Sequence, residues 1–454
     1  MRKSLPIDRV SADDLMSLAT DRGSTPMQVG AVLFLDTRTG LDSGQGIVLL
    51  AQRILSVPRL RRRLVTVPFG CGRPVWVDDA AFAITNHVTT VRCPAPRGEL
   101  AVFDLAAAML ATPLPRARPL WAATLVTETA EHEAALIIVF HHVLADGIGG
   151  LTMLADLVDR APPARPDRAS IGVVGGAEAA PDPAFPRPMP SVLRLVVDAW
   201  TGQLHAIRGM PAVLWRLGSA AMELRAATRE RLARTSLNRP TGARRRFVSI
   251  RINLDRIRAT GHAHHATVND VVLTAIGAAL HRLLELRGEP ADRFVISVPF
   301  SARRQPTAGE LGNQSGVIPL GVPGVGHPLR RLAAVAETTR AAKLAPPGAS
   351  TALLGPFFRL LGRTGLFQRF IDRQRMIHTF VTNLRGPEER LEIFGFPITG
   401  IVPLSVNTGN ITVSFAVLSY AGTLTIMIVA DPDACPDLPA LQQALTEELA
   451  ALTG

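Results

Sequence analysis

Short apolar blocks separated by turn residues organise this chain. Gln28–Leu35 predicts a strand, as do Trp121–Thr127 and Ala134–Phe140. The polar stretch Glu128–Glu133 joins the last two into a hairpin. Turned near residues 130 and 131, that hairpin sets Trp121 opposite Phe140 to within about two residues. Gly46–Leu60 has helical spacing and is followed by the basic run Arg59, Arg61, Arg62 and Arg63; Gly150–Val158 also predicts a helix. Further on, Val272, Ile276, Ala279, Leu280 and Leu283 fall on one face of a long helix, Val268–Arg287. Thr267 stands at its start and Gly288 at its end. Phe294–Val298 reads as a buried strand. Ile411–Leu418 and Thr423–Ala430 read as a strand pair turned at Tyr420–Gly422, and Leu438–Leu452 as a closing helix.

These elements fall into two strand-and-helix blocks, Val10–Asp159 and Arg246–Gly454, with a connector of different character between them. A chain of 454 residues is too long for one ordinary core, so domain limits of 1–160 and 246–454 are expected around a connector of 161–245. The connector opens with Pro162, Pro163, Pro166, Pro181, Pro183, Pro186, Pro188 and Pro190, which keep it extended or irregular. A helical arm, Ser191–Leu237, carries Trp200 and Trp215. Residues 191–246 hold eleven arginines against Asp198, Glu223 and Glu230, which is eight of the chain's formal surplus of +11.

Composition narrows the partners. With 47% hydrophobic and 19% charged residues the chain builds a large core and is not disordered. The positive surplus favours a partner that carries negative charge: a coenzyme A thioester, an anionic membrane surface or a nucleic acid. Aromatic residues are only 5% and no nucleic-acid module is present, so a nucleic acid ranks last. Cys71, Cys93 and Cys435 are odd in number and widely spaced, giving neither a disulfide framework nor a zinc cluster, and fitting a reducing cytoplasm. Met1–Leu15 has Arg2 and Lys3 without a following apolar stretch, and Ala134–Phe140 is far too short to span a bilayer. A cytoplasmic protein, free or resting on a membrane surface, is expected.

The most informative segment is Ala134 to Gly150, AALIIVFHHVLADGIGG. An apolar strand ends in His141 and His142; Asp146, Gly147 and two more glycines follow before a helix. Side chains alternate across a strand, so the two histidines face opposite ways and only one enters a given cavity. The other is left to bond locally and fix the backbone. Asp146 lies one tight turn later and can return to the same spot. A neutral imidazole is the commonest base near neutral pH, and proton abstraction from an alcohol suits this arrangement. An arbitrary His-His pair is an ordinary strand end; the full spacing His-His-x-x-x-Asp-Gly before a helix reverses that judgement.

That spacing, His141-His142-x-x-x-Asp146-Gly147, resembles the signature of acyltransferases related to chloramphenicol acetyltransferase and to peptide-synthetase condensation domains. Further matches are Pro26-Met27 with Gly30, Pro113-Leu114 through Arg118-Pro119-Leu120-Trp121, and Ala266-Thr267-Val268-Asn269-Asp270-Val271-Val272-Leu273. Val298-Pro299 with Ser301 and Arg303, Leu311-Gly312-Asn313, and Asn383 with Gly386-Pro387 complete the set. Together they look like the bacterial wax ester synthase/diacylglycerol acyltransferase family over nearly the whole chain except the connector. The resemblance implies an α/β (α+β) fold of two chloramphenicol-acetyltransferase-like domains, each a mixed sheet with helices, forming a pseudo-dimer with a substrate tunnel at their interface. It implies His142 as base, a fatty acyl-CoA donor as substrate with no cofactor, and a diacylglycerol or long-chain alcohol as acceptor. It also implies peripheral attachment to a membrane or lipid-droplet surface, and a structural Asp146 for which Arg303 is the candidate partner. Pro115 stands where the family often has aspartate, and Asn-Leu-Arg-Gly-Pro at 383–387 replaces its Asn-Val-Pro-Gly-Pro; both bear on acceptor choice.

Other residues carry plainer readings beside these. Pro119, Leu120 and Trp121 flank the histidine pair in the expected hairpin and are candidate substrate contacts, yet Trp121 is equally expected in the core. Asn269 and Asp270 are candidate substrate-binding residues through the resemblance, whereas Thr267 and Asp270 by spacing form a capping box. His262, His264 and His265 lack matching carboxylate or thiolate neighbours and read as a solvated loop, with no metal. Gly147-x-Gly149-Gly150 lacks the lysine and spacing of a phosphate loop and reads as a turn. The arginine-rich arm reads as a solvated connector, as a surface resting on an anionic membrane, or as an attractor of coenzyme A phosphates. Two rivals accompany acyl transfer from coenzyme A. One is a condensation-type or polyketide-associated acyltransferase with a carrier-protein donor. The other is a catalytically silent lipid-binding protein.

Overall fold

A computed structural model describes residues 7–11, 14–21, 25–40, 43–145, 147–159, 185–208, 234–289, 291–301, 315–344 and 366–454. The first half forms α1 (Asp14–Thr20), β1 (Gln28–Asp36), α2 (Ser43–Ser56), β2 (Arg62–Val65), β3 (Val75–Asp78), β4 (Val88–Arg92), α3 (Glu99–Ala111), β5 (Trp121–Ala130), β6 (Glu133–His141), α4 (Gly147–Leu157) and α5 (Val192–Arg208). The second half adds β7 (Arg246–Asn253), α6 (Leu254–Ala263), α7 (Val268–Leu286), β8 (Arg293–Ser301), β9 (Ser315–Pro323), α8 (Pro328–Leu344), α9 (Leu366–Ile371), β10 (Thr379–Arg385), β11 (Glu392–Ile393), β12 (Phe396–Leu404), β13 (Val413–Tyr420), β14 (Thr423–Ala430) and α10 (Leu438–Thr453).

Two six-stranded mixed sheets result, in the orders β11-β12-β1-β6-β5-β4 and β7-β14-β13-β10-β8-β9, with β2-β3 as a small ribbon. The sheets do not divide where the sequence blocks do: β11 and β12 come from the second half and complete the first sheet, β12 pairing with β1 from Gly30–Leu404 to Leu35–Ile398. The alternation in β6 explains the layering. Leu136, Ile138 and Phe140 pack into one core with α2 and α4, while Ala135, Ile137 and Val139 join Val102, Phe103 and Ala106 of α3. That second core also takes Phe247, Met427 and Val429 from the other sheet, so α3 lies between the halves. Glu99 at its first turn binds Arg251 and Ser249 of β7. The third large core surrounds α7, whose apolar face meets Phe415, Val417 and Ile426.

Most expected elements are present, and the departures have local causes. The β5–β6 hairpin places Trp121 opposite Phe140 as the spacing predicted. Helix α2 stops at Ser56 instead of Leu60, because Pro58 lacks an N–H and opens a short 3₁₀ turn, Pro58–Arg61. The basic run after it is built into the fold. Arg59 pairs with Asp8 at 2.8 Å and lies 4.1 Å over the Trp76 ring; Arg62 binds Asp78 at 3.0 Å. The arm is helical over α5, Arg234–Leu237 are not helical, and residues 209–233, with Trp215, lie outside the described residues. His262 ends α6 instead of standing in a loop; His264 and His265 follow it, exposed. Among the described residues no group of His, Cys, Asp and Glu is placed to hold a metal ion.

One buried histidine gives the fold a pH response. His378, just before β10, accepts a hydrogen bond from the Val295 N–H at 3.0 Å and lies edge-on to Phe294. Burial pushes its pKa down to about 4 from the usual 6.5, and protonating the nitrogen that accepts the Val295 N–H would also forfeit that bond. The folded protein therefore binds fewer protons than the unfolded chain between those values. Stability is complete above about pH 6.5 and declines as pH falls toward about 4; near pH 5 the loss is about 2 kcal/mol. His378→Gln keeps an acceptor without the titration. Urea denaturation of both proteins near pH 5 and pH 7 will show a smaller acid loss in the variant.

Candidate active site

Strand β6, in the interior of its sheet, carries the histidine pair at its C-terminal end, where two segments clamp it. The His141 N–H donates to the Leu120 carbonyl at 2.9 Å, and the His142 N–H donates to the Met27 carbonyl at 2.8 Å. Pro119-Leu120-Trp121 and Pro26-Met27-Gln28 therefore hold the backbone on opposite sides, and Gln28 lies opposite His141 in the β1–β6 register. Gly30 is obligatory for this approach: a Cβ there would lie 2.0 Å from the Ile138 carbonyl oxygen of β6.

The two histidines have different surroundings. His141 is buried, and its Nδ1 accepts the Val143 N–H at 3.0 Å, which leaves the ring proton on Nε2. Nε2 faces Asp21 at 3.1 Å, an ion-pair distance without straight hydrogen-bond geometry. Asp21 also accepts from the Met27 N–H at 3.0 Å and from Arg116 at 2.6 Å. Burial by itself would raise the Asp21 pKa, but His141, the Met27 N–H and Arg116 outweigh it and hold the carboxyl well below the ordinary carboxylate range. Both ring nitrogens of His141 are thus engaged in fixing structure. His142 sits half-buried in the turn that follows.

That turn leads into α4, whose first residues are Gly147, Gly149 and Gly150. These glycines form a helix start and not the turn expected for them. A Cβ on Gly150 would lie 2.7 Å from the Phe140 ring, so the small residue lets α4 cross closely over β6. Helix α4 packs on β10, which carries Asn383, and the Asn383 amide donates to Asn269 at 3.2 Å. The site therefore lies where the halves meet. Arg245 reinforces this junction, donating to Thr25 at 2.8 Å and to the Asn407 carbonyl at 2.9 Å.

The expected site residues are only partly brought together. His141, His142, Pro119, Leu120 and Trp121 are adjacent. Trp121 belongs to the core: its indole N–H donates to the Leu60 carbonyl at 2.7 Å, its ring stacks on His87, and it lines a small apolar cavity with Phe140 and Met153. Asn269 stands at the start of α7. Asp270 completes the capping box, its carboxylate accepting the Thr267 N–H at 2.8 Å and the Thr339 hydroxyl at 2.7 Å. Asp146 and Arg303 lie outside the described residues.

Sequence reasoning missed Asp21, Arg116 and Gln28. The Gln28 amide donates to the Leu110 carbonyl at 2.9 Å and accepts the Leu114 N–H at 2.8 Å, tying the end of α3 to β1. No periodicity marks such residues, since their partners lie far away in sequence. Asp21→Asn is expected to lower stability by about 1–2 kcal/mol and kcat by about tenfold, by releasing the clamp on Met27 and His141. Because the native Asp21 pKa is depressed, its contribution is present above the unfolded carboxylate pKa and is lost as pH falls through the native one. Denaturation midpoints of the variant and the parent will therefore converge in acid, and steady-state rates will give kcat.

Residues 10–272 match the wax ester synthase/diacylglycerol acyltransferase catalytic domain, and residues 311–453 match the WS/DGAT C-terminal domain. The Mycobacterium tuberculosis (strain ATCC 25618 / H37Rv) protein named "Probable diacyglycerol O-acyltransferase tgs1" is 29% identical over 422 residues, covering 89% of this chain and 86% of its own. Among solved structures, the wax ester synthase/diacylglycerol acyltransferase from Marinobacter aquaeolei VT8 is similar in fold. It superposes with a TM-score of 0.69 at 22% identity, covering 98% of both chains. The first condensation domain of the calcium-dependent antibiotic synthetase shares the fold at a TM-score of 0.64 and 18% identity, covering 99% of this chain and 97% of that one.

Proposed function

The chain belongs to the wax ester synthase/diacylglycerol acyltransferase family, and from that premise we propose that it moves a fatty acyl group from a coenzyme A thioester to the hydroxyl of a diacylglycerol or a long-chain alcohol, with His142 as the base. The observation that carries the residue assignment is the contrast within the pair. His141 is buried between Val143 and Asp21, while His142 is only half-buried, in the turn after β6, and so can be reached by an incoming molecule.

In this reading a His142 ring nitrogen takes the acceptor's hydroxyl proton as its oxygen attacks the thioester carbonyl carbon. Donors around Asn269, at the N-terminus of α7, stabilise the oxyanion. The carbon–sulfur bond then breaks, and the departing thiolate takes the proton from the imidazolium. The two substrates supply all the reacting groups, so no cofactor enters. The +11 surplus favours the phosphates of coenzyme A. Because the acceptors dissolve in lipid, the enzyme works from the cytoplasmic side at a membrane or lipid-droplet surface. Among the described residues no helix is long and apolar enough to cross a membrane.

Purified protein with palmitoyl-CoA and a panel of diacylglycerol, long-chain alcohols and sterols tests this by thiol release. Release with diacylglycerol or a long-chain alcohol is expected. No release with any acceptor would leave the silent lipid-binding reading. Faster transfer from an acyl carrier protein than from coenzyme A would assign the donor to a carrier.

A further inference from the structure

We infer that the outer face of α5, together with the tip of the β2–β3 loop, docks on an anionic bilayer surface. Helix α5 is apolar on two sides. One is covered: Leu195 is fully buried with Cys71, Val75 and Val77. The other is bare: Leu193, Val197 and Trp200, at i, i+4 and i+7, are 74%, 55% and 61% exposed. Phe69, at the tip of the loop packed beside α5, is fully exposed. Such a row of large apolar side chains on an otherwise polar surface marks a contact site and is not ordinary surface.

The platform is rigid before it meets anything. Arg9 donates to Asp198 at 2.6 Å and to the Leu195 carbonyl at 2.9 Å on the helix. It also donates to the Cys71 and Arg73 carbonyls on the loop, both at 2.8 Å. Gly72 lies so close to α5 that a Cβ there would sit 3.0 Å from Ala199. The Arg9 clasp also neutralises Asp198, the single acid on α5. Exposed Arg73, on the loop beside the helix, then leaves that flank of the apolar row positive.

Charge selects the occupant. A second copy of the chain would set Arg73 against its own kind, whereas anionic headgroups complement it. Trp200 suits the depth at which headgroups meet acyl chains. Helix α5 is amphipathic and lies in the plane of such a surface instead of crossing it. The inference rests on the proposed function only in that the enzyme's acceptor is lipid-borne; the surface itself is read from exposure and charge.

Vesicles of phosphatidylcholine, with and without phosphatidylglycerol, test it by co-sedimentation of the full chain. The parent is expected to bind the anionic vesicles more tightly. Trp200→Ala and Val197→Glu are each expected to weaken that binding about tenfold, and Phe69→Ala on the separate loop should weaken it in the same direction. Transfer to vesicle-borne diacylglycerol should fall in parallel, while transfer to a dispersed medium-chain alcohol and the far-UV circular dichroism stay unchanged. Parent-like binding by Val197→Glu, or binding indifferent to phosphatidylglycerol, overturns the inference. Concentration-dependent dimerisation that Val197→Glu abolishes also overturns it, by assigning the face to a second copy. Vesicle binding with the expected variant pattern but no acyl transfer to any acceptor would uphold the docking face and refute the proposed function.

Discussion

His142→Ala is expected to reduce kcat by about 10³-fold while leaving the denaturation midpoint nearly unchanged. A lipid hydroxyl is a poor nucleophile until its proton is removed, and the imidazole supplies a base matched to neutral pH. The side chain stands half-buried beyond the end of β6, so its removal opens little core. The neighbour will behave differently. His141→Ala removes the acceptor for the Val143 N–H and the partner of Asp21, so its deficit should appear in stability as well as rate. Single-turnover thiol release and urea denaturation of both variants separate the roles. Parent-like turnover by His142→Ala would remove it as the base.

Gly30→Ala is expected to destabilise the protein by about 4 kcal/mol or more, enough to deplete the folded state. The added methyl would meet the Ile138 carbonyl oxygen at 2.0 Å, and both the obstacle and its neighbour Val139 Cα are backbone, which cannot rotate away. Only parting β1 from β6 relieves the clash. That movement breaks the ladder in which Gln28 faces His141, and it pulls the Met27 carbonyl from the His142 N–H. Soluble yield and denaturation midpoint measure the effect. A midpoint close to that of the parent would mean that the strands approach less closely than described. Gly400 of β12 provides the control: nothing lies within 4 Å of a Cβ there, so Gly400→Ala should be tolerated far better.

Local interactions were legible in the sequence. The β5–β6 pairing of Trp121 with Phe140 followed from side-chain alternation and the position of a short turn. Thr267 and Asp270 announced the start of α7 through a box closed within four residues. The histidine pair with its aspartate and glycine pointed to acyl transfer through its resemblance to a family signature, which is legible because its members are neighbours in the chain. Tertiary structure decided what depended on distant partners. It put β12 beside β1, packed arginines of the basic run near residue 60 against Asp8, Asp78 and Trp76, and brought Asp21 against His141. It also buried His141 while leaving His142 half-buried, and bared one side of α5 while covering the other. The physical reason is that propensity, capping and alternation act over a few residues, whereas the value of an ion pair, a close backbone approach or an exposed apolar row depends on which remote segment arrives beside it.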